Sequence, residues 1–571
     1  MGENTMALLE VKDFSFKYNE EKVLKDINFK INEGEFVLLC GPSGSGKTTL
    51  LNNIKKELKP AGDTYGQIFF DDILVEELDD EKSACDIGLM FQNPDAQIVT
   101  DTVIQEIAFP LENIGLPTDE IRNRIAEMST FFGIDKLLHE NVNNLSGGQK
   151  QLVNLCSLLV LKPKLLLLDE PTSQLDPIAS YDFLAMLRRL NEEFSITIIV
   201  TEHKMDNIFP FANKVIYLQN GNLKYINDSR NICDDIKDDE VFKYYMPEVT
   251  RVNLLLKDKF DSIKDVEVAL SVREGIQLLN NMDDIIKDIP LQALSRIKVE
   301  NTDELVLVKD LWFGYEKENV ILKGIGFNVN KGEYITIIGG NGSGKSTFLK
   351  LLAGLIKPVK GKIKYAKNTK ISYVHQNPMV QFTEDTVLKE LSNIRESKIE
   401  TDFNFNPFNK SKKENEIDKS INKTIELSDY AMELVDYFDI RKILNNHPYD
   451  CSGGEQQKIA FIKALLDNPD ILILDEPTKG LDPISNHKLG ELLKQVNNEG
   501  TTIIMTTHDL SFVADSVERC VMIFDGSLQL DTTPTQIFSS NNFYTTFVNR
   551  MVKNYLPKAI SIKDVKEQWS L

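Results

Sequence analysis

The pattern G-x-x-x-x-G-K-S/T occurs twice in the chain. The first copy is Gly41, Pro42, Ser43, Gly44, Ser45, Gly46, Lys47 and Thr48, followed by Thr49. The second is Gly339, Gly340, Asn341, Gly342, Ser343, Gly344, Lys345 and Ser346, followed by Thr347. Each follows a short apolar run ending at the first glycine, Phe36–Cys40 and Tyr334–Ile338. Such a run is the pattern of a buried parallel strand. A loop of this kind needs glycine because its backbone must wrap a polyphosphate with N–H groups aimed inward. The helix predicted to begin at Lys47 or Lys345 adds its positive end. The lysine then reaches the terminal phosphates, and Thr48 or Ser346 ligates Mg²⁺.

Each loop is followed by the same train of segments. Phe91-Gln92-Asn-Pro94 matches His375-Gln376-Asn-Pro378, and Ser146-Gly147-Gly148 matches Ser452-Gly453-Gly454. Leu168-Asp169-Glu170-Pro matches Leu474-Asp475-Glu476-Pro. The step from Ser146 to Asp169 is 23 residues, as is that from Ser452 to Asp475. His203 lies 34 residues after Asp169, and His508 lies 33 after Asp475. Gln376 to Ser452 is longer than Gln92 to Ser146 by 22 residues. The extra length falls near 396–427, dense in Asn, Lys, Glu and Asp, and is expected to be a partly disordered surface insertion.

A chain of 571 residues exceeds a single core. The repeat divides it into halves at 7–226 and 305–535, a connector at 227–304 and a helical tail at 536–571. The connector holds 18 acidic against 11 basic residues. It keeps apolar stripes, so it reads as a structured acidic segment rather than a flexible tether. Alternation of apolar runs with longer helical stretches predicts an α/β fold with a mostly parallel sheet. The formal net charge of −22 argues against the nucleic-acid backbone as main partner. Six scattered cysteines without C-x-x-C spacing suggest neither zinc nor disulfides. With no apolar run of spanning length and no basic-apolar leader, membrane work is expected to pass through a partner.

Asp169 and Asp475 end apolar runs, which places each carboxylate at the sheet edge where ligands bind, fit to support Mg²⁺. Glu170 and Glu476 follow, where a carboxylate can orient and deprotonate water. Ser146 and Ser452 each precede a helical pattern, so serine caps a helix whose glycines admit a phosphate. His203 and His508 are placed to hold the terminal phosphate and the water, and Tyr18 and Tyr315 to stack on adenine.

In this order the motifs resemble the ATP-binding cassettes of ABC ATPases, twice over. The resemblance implies two P-loop domains, each with a RecA-like, mostly parallel core, an antiparallel β part and a helical subdomain. It also implies ATP and Mg²⁺ as ligands, with Gln92 and Gln376 joining Thr48, Asp169, Ser346 and Asp475 around the metal. Two cassettes of this family pack head to tail, so Lys47 is expected to work with Ser452 and Lys345 with Ser146. Cys451, Glu455 and Lys479 depart from the family pattern without removing a ligand or a base.

A finer resemblance is to the ATPases of energy-coupling-factor (ECF) importers, which serve vitamin or transition-metal uptake. It rests on Gln92-Asn-Pro-Asp95-Ala-Gln97 with Asp101-Thr-Val103, and Gln376-Asn-Pro-Met-Val-Gln381 with Asp385-Thr-Val387. There the region receives arginine-bearing helices of a transmembrane coupling protein, beside a separate substrate-binding membrane subunit. Asp95, Asp101, Glu106, Glu384, Asp385 and Glu390 are the acidic counterparts expected here. The chain would then lie peripherally on the cytoplasmic face of the membrane. The alternative is a soluble twin-cassette translation factor of the ABC-F kind acting on the ribosome, against which the acidic connector weighs. A DNA-repair ATPase would carry coiled-coil or zinc insertions, and no such pattern occurs in the sequence.

Overall fold

The computed structural model describes residues 7–19, 21–294, 303–316, 319–392, 427–542 and 544–571. The expected insertion at 396–427 lies outside them, apart from Leu427. Two compact units emerge. One holds the described residues of Met1–Leu294, Asp482–Ile484 and Thr545–Leu571, the other those of Ser295–Leu481 and Ser485–Tyr544.

In the first unit the apolar runs become strands. Phe36–Cys40, buried at every position, lies between Thr197–Thr201 and Lys214–Gln219 and runs parallel to both. Leu165–Asp169 and Ile87–Met90 extend the parallel sheet, and Asn222–Asn227 closes the other edge antiparallel. Both faces of this sheet are covered, which is why Leu165–Asp169 shows no polar alternation. Leu38, Leu166 and Leu168 pack with Val153, Leu155, Phe183 and Leu187 of the helices Gly147–Leu159 and Pro177–Phe194. On the opposite face Val37, Leu39, Leu165 and Leu167 meet Leu9, Phe16, Ile27 and Phe70. These come from a separate antiparallel sheet ordered Glu21–Asn32, Ala7–Tyr18, Asp63–Phe70, Ile73–Leu74. Burying one such aliphatic side chain stabilises by ~1.5–3 kcal/mol, so the two faces together anchor the strand ends from which the loops spring.

The second unit repeats the plan. Its six-stranded sheet is ordered Ile371–Val374, Ile471–Asp475, Thr502–Thr506, Tyr334–Ile338, Arg519–Phe524, Ser527–Thr532. A three-stranded antiparallel sheet of Leu322–Asn330, Glu304–Phe313 and Lys360–Tyr365 covers one face.

Residues after the first sheet form short helices, including Glu248–Lys259, Val272–Asn281 and Asp283–Lys287. Their apolar sides are covered by the far end of the chain. Val249, Val252, Leu256 and Leu279 share a core with Val548, Met551, Val552, Leu556 and Trp569. Lys259 Nζ donates to Trp569 O at 2.6 Å, and Tyr555 Oη to Asp283 Oδ1 at 2.9 Å. The helices Phe547–Val552 and Ile562–Trp569 therefore belong to the first unit, while Pro534–Ser540 stays with the second.

Candidate nucleotide sites

Each glycine-rich loop leaves the carboxyl end of a central strand and enters a helix, Lys47–Ile54 or Lys345–Leu352. Gly41 and Gly339 have φ of +152° and +155°, and a Cβ would stand 2.2 Å from Leu218 O and 2.3 Å from Ile523 O. Only glycine lets the loop pass the neighbouring strand there. Gly44 and Gly342 face open space. Lys47 Nζ donates to Gly41 O at 2.8 Å and Pro42 O at 3.2 Å. Lys345 Nζ donates to Gly339 O and Gly340 O, both at 3.0 Å. Ser45 and Ser343 are buried, and their hydroxyls have no hydrogen-bond partner among the described residues. Ser43 and Asn341 lie towards the rim, Gly46 and Gly344 cap the helices, and Thr49 and Thr347 sit in their first turns. A loop with an inward ammonium, an open glycine rim, an orphan hydroxyl and a helix N-terminus fits a polyphosphate.

Asp169 and Asp475 are the last residues of the strands Leu165–Asp169 and Ile471–Asp475. Thr48 Oγ1 donates to Asp169 Oδ2 at 2.6 Å, and Thr201 Oγ1 to Oδ1 at 2.8 Å. Ser346 Oγ and Thr506 Oγ1 both donate to Asp475 Oδ1, at 2.9 and 2.8 Å. Burial, then the neighbouring Glu170 charge, push the Asp169 carboxyl above its usual range, opposed by the two hydroxyls and Lys47. A hydroxyl paired with one carboxylate suits Mg²⁺, which keeps most of its shell as water and phosphate oxygen. No group of three His, Cys, Asp or Glu able to hold a metal alone occurs among the described residues. Thr201 and Thr506 belong to no motif named above, yet both bind the aspartate. Both stand two residues before the repeated histidine, and that recurrence is their signal in the sequence.

Glu170 and Glu476 are non-glycine residues at positive φ, 45° and 52°. Their amides donate to Thr201 Oγ1 at 2.8 Å and Thr506 Oγ1 at 3.0 Å, which holds the strained turn in place. The two units then differ. Glu170 Oε2 accepts from Gln92 Nε2 at 2.6 Å, and Oε1 lies 2.7 Å from His203 Nε2. Burial works to raise the Glu170 carboxyl, but His203 and Lys47 prevail and hold it below the usual range. Burial likewise opposes charge on His203, but Glu170 raises it. Glu476 Oε1 lies 3.4 Å from His508 Nε2 and takes no hydrogen bond among the described residues. Burial pushes Glu476 up to about 7, against Lys345 and with help from Asp475.

Ser146 and Ser452 each cap a helix through a reciprocal capping box. Gln149 Oε1 accepts from Ser146 N at 2.8 Å. In the second unit Glu455 Oε2 accepts from Ser452 N at 2.8 Å and from its hydroxyl at 2.7 Å. Gly147, Gly148, Gly453 and Gly454 form the first turns behind them. Tyr18 and Tyr315 are exposed and stand edge-on to Phe16 and Phe313. Gln92 and Gln376 are exposed just beyond the edge strands.

Two of the acids expected to face a partner are placed otherwise. Glu106 and Glu390 are buried. Glu106 Oε2 accepts from Val99 N at 3.1 Å and from Thr100 N and Oγ1 at 2.9 Å. Glu390 Oε2 accepts from Thr383 N and Glu384 N at 2.9 and 2.8 Å, and Oε1 pairs with Lys463. Each carboxylate pins the loop before its own helix rather than offering itself outward. Asp95, Asp101 and Asp385 remain exposed.

Fold and duplicated site define a P-loop nucleoside triphosphatase with two nucleotide-binding halves. The family described as ABC transporter matches residues 24–173 and 322–479. A Bacillus anthracis protein assigned as an ABC transporter ATP-binding protein is 41% identical over 578 residues, 98% of each chain. A Methanosarcina mazei protein with the same assignment is 31% identical over 561 residues, 94% of this chain and 91% of its own. Among solved structures, an archaeal ribosome recycling factor in complex with a ribosomal stalk protein superposes with a TM-score of 0.59 at 20% identity. It covers 92% of this chain and 91% of its own, a likeness of fold. The chain belongs to the ABC transporter family and is an ATPase with two cassettes.

Proposed function

We propose that the chain is the energy-coupling ATPase of an ECF-type importer, driving uptake of a vitamin or transition-metal ion through membrane partners. Lys47 and Lys345 bind the terminal phosphates of ATP. Thr48 and Asp169, and Ser346 and Asp475, hold Mg²⁺ with Gln92 and Gln376. When bound, Mg²⁺ neutralises charge developing on the phosphates. Glu170 and Glu476 accept the proton of the attacking water, and His203 and His508 hold the terminal phosphate and that water. Each ATP is completed by the other cassette's Ser-Gly-Gly, Ser452 for Lys47 and Ser146 for Lys345. Closure on ATP and reopening after hydrolysis supply a two-state motion that a membrane partner reads.

The observation that carries the importer assignment is the built segment after each glutamine. Gln97 Oε1 accepts from Phe91 N at 3.1 Å, Asn93 caps the following turn, and Glu106 pins the next residues. Gln381 Nε2 donates to Tyr373 O at 2.6 Å, Asn377 caps, and Glu390 pins. In the first unit this leaves a polar cleft of about 290 Å³ bounded by Asp95, Val99, Asp101 and Lys150. A helix carrying a cation suits such a cleft. Among the described residues no helix is long and apolar enough to cross a membrane.

Affinity purification from membranes in mild detergent tests the proposal. Recovery of a polytopic membrane protein, lost when Val99→Asp alters the cleft, is expected. Recovery of ribosomes or RNA instead would contradict it and favour the translation-factor alternative.

A further inference from the structure

The two strand-end aspartates are oriented by different means. Leu89 is aligned with Leu167 in the first unit, and Tyr373 with Ile473 in the second. In both, the aspartate stands two residues further along the partner strand, so these positions are equivalent. Leu89 is buried and offers no polar atom. Tyr373 Oη donates to Asp475 Oδ2 at 3.2 Å.

The difference matters because of where the other hydroxyls bind. Thr48 and Thr201 take opposite oxygens of Asp169, which fixes the plane of that carboxylate. Ser346 and Thr506 crowd onto one oxygen, Oδ1, of Asp475. A carboxylate held at one oxygen turns about it, and the phenol at Oδ2 is what stops that rotation. The backbone that carries the phenol is itself held, since Gln381 Nε2 donates to the Tyr373 carbonyl and the strand is paired with Ile471–Asp475.

The geometry points to Tyr373 as a positioning residue of the second nucleotide site, aiming Asp475 at the divalent cation bound there, a device the first site does without. It rests on the proposed role of Asp475 in cation support. Groups that orient a metal-supporting carboxylate are worth about tenfold or more in metal affinity.

Mn²⁺ is the probe, followed by electron paramagnetic resonance on the full chain with ADP. A Lys47→Ala background confines loading to the second site. Tyr373→Phe is expected to weaken Mn²⁺ binding about tenfold while metal-free ADP affinity stays unchanged. Tyr373→Leu, which installs the first unit's residue type, should do the same and serves if the phenylalanine variant folds poorly. Leu89→Phe, in a Lys345→Ala background, should leave the first site unaltered. Parental Mn²⁺ affinity in Tyr373→Phe, with Asp475→Asn impaired, overturns the role of Tyr373. Parental affinity in Asp475→Asn overturns the cation-site assignment beneath it, and the proposal with it.

Discussion

His203 Nε2 stands 2.7 Å from Glu170 Oε1, while His508 Nε2 stands 3.4 Å from Glu476 Oε1. The first pair keeps its carboxylate ionised against burial; the second leaves Glu476 raised to about 7. Both glutamates nevertheless occupy the same strained turn, each tied to a threonine hydroxyl. If they are the two bases, Glu170→Gln combined with Glu476→Gln abolishes phosphate release while ATP still binds. Undiminished hydrolysis in the double variant would remove both from that role.

The unequal distances carry a second expectation. Losing a hydrogen bond to a charged group costs ~1.5–3 kcal/mol, at least about tenfold in an equilibrium or rate. His203→Ala in a Glu476→Gln background should therefore lower turnover at least about tenfold further than His508→Ala does in a Glu170→Gln background. Equal losses would show that the closer contact does not matter to turnover.

The strands and loops were legible because their physics is local. Leu165–Asp169 and Tyr334–Ile338 are unbroken apolar runs, which only a sheet covered on both faces accommodates. The glycines between strand and lysine announce a backbone that must pass close to a neighbour. Glu106 and Glu390 were misplaced because an acid on an amphipathic helix looks the same whether it faces solvent or caps its own loop. Tyr373 was invisible for a related reason: its hydroxyl meets Asp475 through strand register, which no motif encodes. The packing of Trp569 onto residues near 256 joins segments roughly 310 residues apart, and apolar periodicity alone names no partner.

That packing is testable. Trp569 is fully buried and closes the core shared with Val249, Val252 and Leu256. Trp569→Ala should destabilise the first unit by ~3–5 kcal/mol, seen as a lower urea midpoint for that unit. A shift within experimental scatter would mean the tail contributes little to the fold.

The connector also holds an acid-sensitive pair. Arg230 Nη2 lies 2.8 Å from Glu274 Oε1, and Leu270 N donates to Glu274 Oε2 at 2.8 Å. Burial acts to raise Glu274, but Arg230 and Leu270 hold it below its ordinary 4.5. Its stabilisation is thus present above 4.5 and is lost as pH falls through the lowered folded value. Glu274→Gln should be less stable than the parent at neutral pH and indistinguishable from it in strong acid. A difference constant across pH would exclude the ionised pair as its source.

The proposal that each phosphate loop is completed by the opposite cassette makes a crossed prediction about which variants share a site. Nucleotide trapped per chain after vanadate treatment should be counted in two double variants. With Lys47→Ala and Ser452→Arg, both changes fall on one composite site, and one trapped nucleotide remains. With Lys47→Ala and Ser146→Arg, both sites are struck and none remains. The reverse pattern, trapping retained only in the second combination, would contradict the cross-cassette pairing.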